Sequence, residues 1–220
     1  MTRGYQFIAI GEHSQDMSEE KVEITKKQGT ENSRDDFCII LGIEYSCHGG
    51  IHIFGLGAMG LTHEMDQAVG AEEVRAQGGL AILAHPYRYN WTRAPELLKA
   101  VDAVETWNVA YDGKSLPSAQ APEALPSMRR INPKLLAIAE QDLHRKRAFY
   151  DVAIQTEADC LTPITIRSSL LRGDYLVKSR FFQTTGRAQI SSLKSIFLRV
   201  ASSQLRNLRK ARDVFRRRAT

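Results

Sequence analysis

Side chains able to bind a divalent ion recur at one kind of place in this chain of 220 residues: at the end of a short apolar run, or within one. YQFIAI leads into Gly11-Glu12-His13, FCIILGI into Glu44, and LAILA into His85-Pro86. IHIFGLG carries His52, AVETWN carries Glu105 and Asn108, and LLAIA leads into Glu140-Gln141-Asp142-Leu143-His144. Imidazole and carboxylate together form the donor set of a hard or borderline divalent metal such as zinc, manganese or iron.

Each position has its own physical reason. Glu44 closes an apolar run, where a carboxylate is either at a strand mouth or a costly buried charge, and a metal would offset that cost. His85 precedes a proline, which disfavours helix and predicts an extended residue at a strand end. His52 alternates with Ile51 and Ile53, so it is expected on the opposite face of its strand. His48, in a glycine-rich loop, is the alternate for the same role, and His63 better suits the start of a helix. Asp142 and His144 are two residues apart, which places them on one face of an extended segment. His13 and Glu12 end the first run. On its own His13 reads as a loop residue, and Glu12 equally well as a ligand or a solvated acid. Cys47 reads as a loop thiol, with a ligand role beside Glu44 and His48 as the alternative. Arg88 reads as a surface residue, or as a charged donor to a phosphate oxygen.

The elements that must position these groups follow from the periodicity. Short apolar runs alternate with polar, helix-forming stretches, the pattern of buried parallel strands in an α/β fold. Ligands gathered at strand ends are how an α/β barrel builds its site. Helices are expected over 18–27 (closed by Gly29), 63–77 (closed by Gly78-Gly79), 94–101 (with Pro95 near its start) and 164–172. Residues 29–36 read as a polar loop. Residues 111–126 contain Gly113, Pro117, Pro122 and Pro126, and read as loop with short helices at most.

The order of these motifs resembles the PHP family, the polymerase and histidinol phosphatase domains, over roughly residues 4–185. FIAIGEH is similar to the family's strand ending in Thr-Asp-His, GIEYS to its Gly-Ile-Glu motif, and IHIFGLG to the histidine-bearing strand after it. ILAHPYR is similar to the Ala-His-Pro motif, AVETWN to Val-Glu-Val-Tyr-Asn, AEQDLHR to Gly-Ser-Asp-Ala-His, and LLRGDYLV to the closing Leu-Arg-x-Gly segment. Two departures stand out. No His-x-His occurs in the sequence, where the family opens with a strand carrying one, and Gly11-Glu12 stand for Thr-Asp.

The resemblance implies a distorted (β/α)7-type barrel, here expected to lack its first β/α unit, over residues 1–188. It implies a metal-dependent phosphoesterase acting on a small phosphate ester or nucleotide, with two or three divalent ions. One ion would take Glu44 and Asp142 with the absent His-x-His, a second Glu44, His52 and His85, and a third His13 and His144. Glu44, His85, Asp142 and His144 would carry the chemistry. Loss of the first motif predicts impaired turnover, and a non-catalytic remnant of the family is the alternative reading.

The composition, 43% hydrophobic and 25% charged, is that of an ordinary globular domain. Three cysteines at wide spacing, with no Cys-x-x-Cys, give neither a disulfide framework nor a structural zinc site, and Cys38 reads as a core residue. No apolar run is long enough to span a bilayer and the start does not read as a signal peptide, so a cytoplasmic protein is expected. Charge is uneven. From residue 190 onward nine Lys and Arg face a single acid, Asp213, giving +8 against a total of +5 and leaving −3 on the rest. Ile190, Leu193, Phe197, Val200, Leu205, Leu208 and Phe215 recur at helical spacing, so residues 189–220 are expected to form a basic amphipathic helix. Such a helix could pack on the barrel, meet nucleic acid through its phosphates, or lie on an anionic surface.

Overall fold

The computed structural model of the chain describes residues 4–62, 66–89, 93–113, 116–144, 151–187, 196–201 and 204. Strands β1 (Phe7–His13), β2 (Cys38–Cys47), β3 (Ile51–Leu56), β4 (Leu80–Ala84), β5 (Ala103–Asn108) and β6 (Leu136–Glu140) form one sheet in chain order. The sheet curls into a half-barrel within a mixed α/β fold. β1–β2, β4–β5 and β5–β6 pair in parallel, whereas β3 runs antiparallel to both of its neighbours. This corrects the expectation of parallel strands throughout. Only His48–Gly50 separate β2 from β3, and a link that short makes a hairpin, since a parallel crossover needs a dozen residues or more. The reversal places His52, near the start of β3, at the edge where β2 and β4 end.

Period-two alternation divides the sheet into two apolar faces. The outer face, with Ile43, Tyr45, Ile53, Leu83 and Val104, packs against helices α1 (Glu19–Asn32), α2 (Gln67–Ala76), α3 (Pro95–Ala100) and α4 (Gln120–Ile131). The inner face, with Ile40, Phe54, Leu56, Leu80, Ile82, Leu136 and Ile138, packs against Ile166 and Leu170 of α5 (Pro163–Arg172). A second, antiparallel sheet of β7 (Ala153–Thr156), β8 (Tyr175–Lys178) and β9 (Gln183–Thr185) joins the same core through Tyr175 and Val177. The Tyr175 hydroxyl donates to the Ala137 carbonyl at 2.8 Å, and Ala137 N–H donates to the Gly186 carbonyl at 2.8 Å, tying this sheet to β6. Among the described residues β1 and β6 are the sheet's two edges and do not pair, so the main sheet has six strands and stays open.

Two helices depart from the sequence reading for local reasons. α1 continues through Gly29 to Asn32, because Gly29 faces inward and a Cβ there would lie 2.8 Å from the Leu41 side chain. α4 forms despite two prolines. Pro122 sits in the first turn, where its missing N–H has no intrahelical partner to lose, and Ala121, Leu125 and Met128 are buried along one face. Pro126 lies inside the helix, so α4 is held by the packing of that face and not by propensity. α2, capped by the Asp66 side chain, begins at Gln67, and His63 lies outside the described residues. No helix among the described residues is long and apolar enough to cross a membrane.

Most of the expected helix over 189–220 also lies outside the described residues. Its described residues, 196–201 and 204, are helical, and the buried residue among them is Leu198, not Phe197 or Val200, which are exposed. Leu198 packs with Leu116 and Ala119, and Arg199 reaches Glu123 on α4 at 2.5 Å. The docking side of this segment is thus one residue out of phase with the predicted stripe. Leu198→Ala should lower stability by about 2 to 3 kcal/mol in a urea titration, the low end of such truncations because the cluster around it is small. Ending the chain after Ser203 should leave the melting temperature nearly unchanged, and a loss as large as that of L198A would show that the distal segment also packs on the body.

Candidate metal centre

The inner face of each strand runs apolar and then turns polar at one edge. On β2 the inward series is Ile40, Gly42, Glu44, and on β3, read backwards, Leu56, Phe54, His52. β1 contributes His13, which is in register with Glu44. β4 ends at Ala84 and hands over to His85, while β5 contributes Glu105 and β6 Glu140. The alternation that builds the core therefore also places His13, Glu44, His52, Glu105 and Glu140 on the inward face, whereas His85 follows Ala84 directly and is turned by its backbone.

Three of these groups meet. Glu44 Oε1 lies 2.5 Å from His52 Nδ1 and 3.2 Å from His85 Nε2. One donor atom from each of Glu44, His52 and His85 falls within 4.8 Å of the other two, close enough for a single ion. The other carboxylate oxygen, Glu44 Oε2, faces His13 Nε2 at 3.8 Å. His144 Nε2 sits 2.9 Å from Asp142 Oδ1, and its ring stacks on that of His13 with centroids 6.0 Å apart. The four imidazoles thus form a continuous band, His144, His13, His52, His85, in which His13–His52 and His52–His85 centroids are 6.3 and 5.8 Å apart. Tyr111 closes one end, 5.7 Å from His85, and Tyr87 packs on Tyr111 at 4.8 Å.

Gly11 and Gly42 are demanded by the floor of this site. A Cβ on either would come within 2.6 or 2.7 Å of the Phe54 ring, which lies against both glycines just below Glu44 and His13. Glycine at 11, where the resembled family has threonine, makes room for that ring.

Two of the candidate site residues sit in left-handed backbone. His85 and Asp142 both have φ of 48°, and no other described non-glycine residue has positive φ. The expectation of an extended His85 before Pro86 is therefore corrected, and so is that of an extended Asp142–His144 segment. This conformation costs an L-residue roughly 1 to 2 kcal/mol, so the surroundings must impose it. At His85 they do: Glu105 Oε2 accepts from the His85 backbone N–H at 2.7 Å and bonds its ring Nδ1 at 2.9 Å.

The electrostatics are those of acids gathered in a low-dielectric place. Burial alone would favour the neutral acid at Glu44, but hydrogen bonds from His52 and His85 outweigh it and hold the carboxyl well below the usual range. Burial alone would favour neutral His85, but its bonds to Glu105 and Glu44 outweigh that and push it up to about 11. Glu140 is pushed well above the usual carboxylate range by burial and by the nearby charge of Glu105. Burial lifts Asp112, which accepts from the Asn108 N–H at 2.9 Å, to about 7. Oε1 of Glu105 and Oε1 of Glu140 are sealed from solvent with no hydrogen-bond partner. An acidic, imidazole-rich cluster with carboxylate oxygens that lack a hydrogen-bond partner among the described residues fits a divalent cation.

Of the residues singled out in the sequence, Glu44, His52 and His85 come together, with His13 against the second oxygen of Glu44 and Asp142 and His144 paired beside it. The others do not join them. Arg88 is exposed on the turn after His85, and its backbone N–H donates to the His85 carbonyl at 2.9 Å. His48 is exposed in the β2–β3 turn, Glu12 is exposed on β1, and Cys47 faces the outer core, where burial raises its thiol to about 11. Cys38 is buried in the inner core, as read. Glu140 and Asp112 were not singled out as site residues. The signal for Glu140 was parity, since it follows Leu136 and Ile138 on the inward face. A scan against protein-family models finds no match, and a search of curated proteins finds none either.

Two of these shifts give the site a pH signature. The lowered Glu44 contributes stability that is present above its ordinary value, 4.5, and lost as pH falls below it. The raised His85 contributes stability that is full below 6.5 and lost as pH rises through about 11. Without metal the pair therefore holds the fold most firmly between pH 4.5 and 6.5. An ion bound at His85 Nε2 replaces a proton, so metal binding strengthens with pH. Zinc or manganese should raise the melting temperature of the full chain more at about pH 8 than at about pH 6, and His85→Ala should remove most of that difference.

Proposed function

We propose that the chain is a metal-dependent phosphoesterase of the PHP type, acting on a small phosphate ester or a nucleotide. The observation that carries this reading is the carboxylate of Glu44, whose one oxygen meets both His52 and His85 while the other faces His13. A carboxylate so placed suits two adjacent ions, and the residues around it follow the motif order that resembles the family. Glu44, His52 and His85 would hold one ion, Glu44 and Asp142 would serve a second, and His13 and His144 a third. Zinc, manganese or iron suits this mixture of nitrogen and oxygen donors. When bound, such an ion would supply polarisation of a phosphoryl oxygen and a lowered pKa for water. The chain's own contribution is to fix the His85 imidazole through its second nitrogen, to line the site with carboxylates, and to floor it with Phe54. Arg88 is the nearest exposed cation in sequence to the ligand His85, and would meet the charge of a phosphate.

A second reading, metal binding without efficient turnover, is favoured by the lack of any His-x-His in the sequence, which leaves the Glu44–Asp142 ion with fewer protein donors. The basic residues beyond Arg199 suit a phosphate-rich partner or an anionic surface, a role separate from the site.

Hydrolysis of p-nitrophenyl phosphate separates the first two readings. The zinc- or manganese-loaded chain should release nitrophenol slowly, a chelator should stop it, and Glu44→Gln and His85→Ala should each lower the rate by about 100-fold or more, at or beyond the top of the range for disturbing a metal site. Metal bound at one equivalent or more with no hydrolysis would favour the binding-only reading. No metal above background would end both.

A further inference from the structure

We infer that β5 is a clamp for the metal centre: Glu105 and Asn108, neither of them in the ligand trio, hold the ligands on either side of β5 in their left-handed backbone. This rests on the metal reading of the site. β5 lies between β4, which ends just before His85, and β6, which ends just before Asp142. Those two residues share a φ of 48°. Glu105, on the inward face and 1% exposed, binds His85 twice, at the backbone N–H and at ring Nδ1. Fixing Nδ1 leaves Nε2, 3.2 Å from Glu44 Oε1, as the nitrogen that faces the ion. Asn108, also 1% exposed, donates from its side-chain Nδ2 to Asp142 Oδ2 at 3.2 Å and lies beside His85 Nδ1 at 3.1 Å, whose proton goes to Glu105, so its hydrogen bond is to the Asp142 flank. Its Oδ1 accepts from the N–H groups of Ala110 and Tyr111 at 2.9 and 3.3 Å, and its own N–H is bonded to Asp112, so the amide cannot turn away. The register shift between Glu105 and Trp107 is the backbone feature that lets Glu105 and Asn108, three residues apart, both reach this edge.

A carboxylate or amide that fixes the far nitrogen of a metal-bound imidazole sets its tautomer and ring orientation, and losing such a partner typically weakens metal binding by about 10- to 100-fold. Glu105 and Asn108 are positioning residues on this account, acting through His85 and Asp142. A merely structural role would lower stability without a specific dependence on the ligand each one holds.

The test is a thermodynamic cycle on the full chain, with cobalt(II) alone as the probe, its affinity read by competition with a chromophoric chelator and its geometry by visible absorption. Glu105→Gln keeps the volume but loses one acceptor oxygen and the charge. It should weaken cobalt binding by about 10- to 100-fold and shift the absorption bands. In a His85→Ala background the same change should have almost no further effect. Asn108→Asp keeps the acceptor for Ala110 and Tyr111 but loses the donor to Asp142. It should weaken binding in the parent by about 10-fold or more, and much less in an Asp142→Ala background, so either arm serves if one variant fails to fold. Full affinity in both E105Q and N108D, or losses that persist undiminished in the ligand-deleted backgrounds, would overturn the clamp. If the parent binds no cobalt, or if His85→Ala binds as tightly as the parent, the metal reading itself fails, a result distinct from the others.

Discussion

A carboxylate that must stay charged at the end of an apolar stripe sets the terms for this molecule. Glu44 follows Ile40 and Gly42 on the inward face of β2, where an isolated anion would cost several kcal/mol or take up a proton. Neither happens, because two imidazoles from neighbouring strands meet on one of its oxygens. That meeting depends on the antiparallel course of β3. Had β3 run parallel, His52 would lie at the far edge of the sheet, beside Leu56's present place, and Glu44 would keep His85 alone. The three-residue hairpin at His48–Gly50, the Tyr89 hydroxyl that donates to the Gly50 carbonyl, and the ring of Phe54 over Gly11 and Gly42 all support that placement.

Strain and hydrogen bonding are balanced at the same edge. Two left-handed residues cost roughly 1 to 2 kcal/mol each, and a hydrogen bond to a charged acceptor returns about 1.5 to 3 kcal/mol. His85 has two such bonds to one Glu105 oxygen, so its backbone can be held without the help of an ion. Asp142 has a weaker hold, a single side-chain amide contact at 3.2 Å, together with the imidazole of the exposed His144. The His85 side of the centre is therefore the preformed one, and the Asp142 side is the one whose geometry depends more on what binds there. Glu44, His52 and His85 are the group among the described residues close enough to share one ion, and Asp142 is not in it.

Much of this was legible in the sequence because strand periodicity decides the core and the face on which polar groups follow it. Glu44 and His52 were marked by run lengths and alternation, with His48 left open beside His52, and His85 was marked by Pro86. The direction of β3 was also present, in the length of the link after Cys47, but the expectation of a parallel sheet overrode it. α4 was hidden by Pro122 and Pro126, since breaker residues are read locally, whereas Ala121, Leu125 and Met128 gain their stability from the outer core. The left-handed backbone at His85 was not legible. Proline at 86 disfavours helix at 85 but does not choose between extended and left-handed backbone, and the choice falls to Glu105, twenty residues away. Similarly, Leu198 takes the buried place expected of its neighbour Phe197 because the cluster at Leu116 and Ala119 fixes the angle at which that segment docks.

Charge balance gives the last step. Glu44, Glu105, Glu140 and Asp142 converge on one edge of the sheet, with Asp112 just behind Asn108. When the four imidazoles are neutral, as ligands must be, nothing among the described residues of this edge offsets the acids. Protonating Glu140 removes one charge, in keeping with its raised pKa, and three carboxylates still remain. In the metal-free state His85, lifted to about 11, supplies one compensating positive charge between Glu44 and Glu105. That arrangement is self-consistent but leaves Glu105 Oε1 and Glu140 Oε1 with no partner. One or two dications would neutralise the cluster more completely than protons do, while freeing the imidazole nitrogens to act as donors. The charge that a cation would offset is therefore that of the whole set of acids, of which Glu44 is the one that meets two imidazoles on a single oxygen.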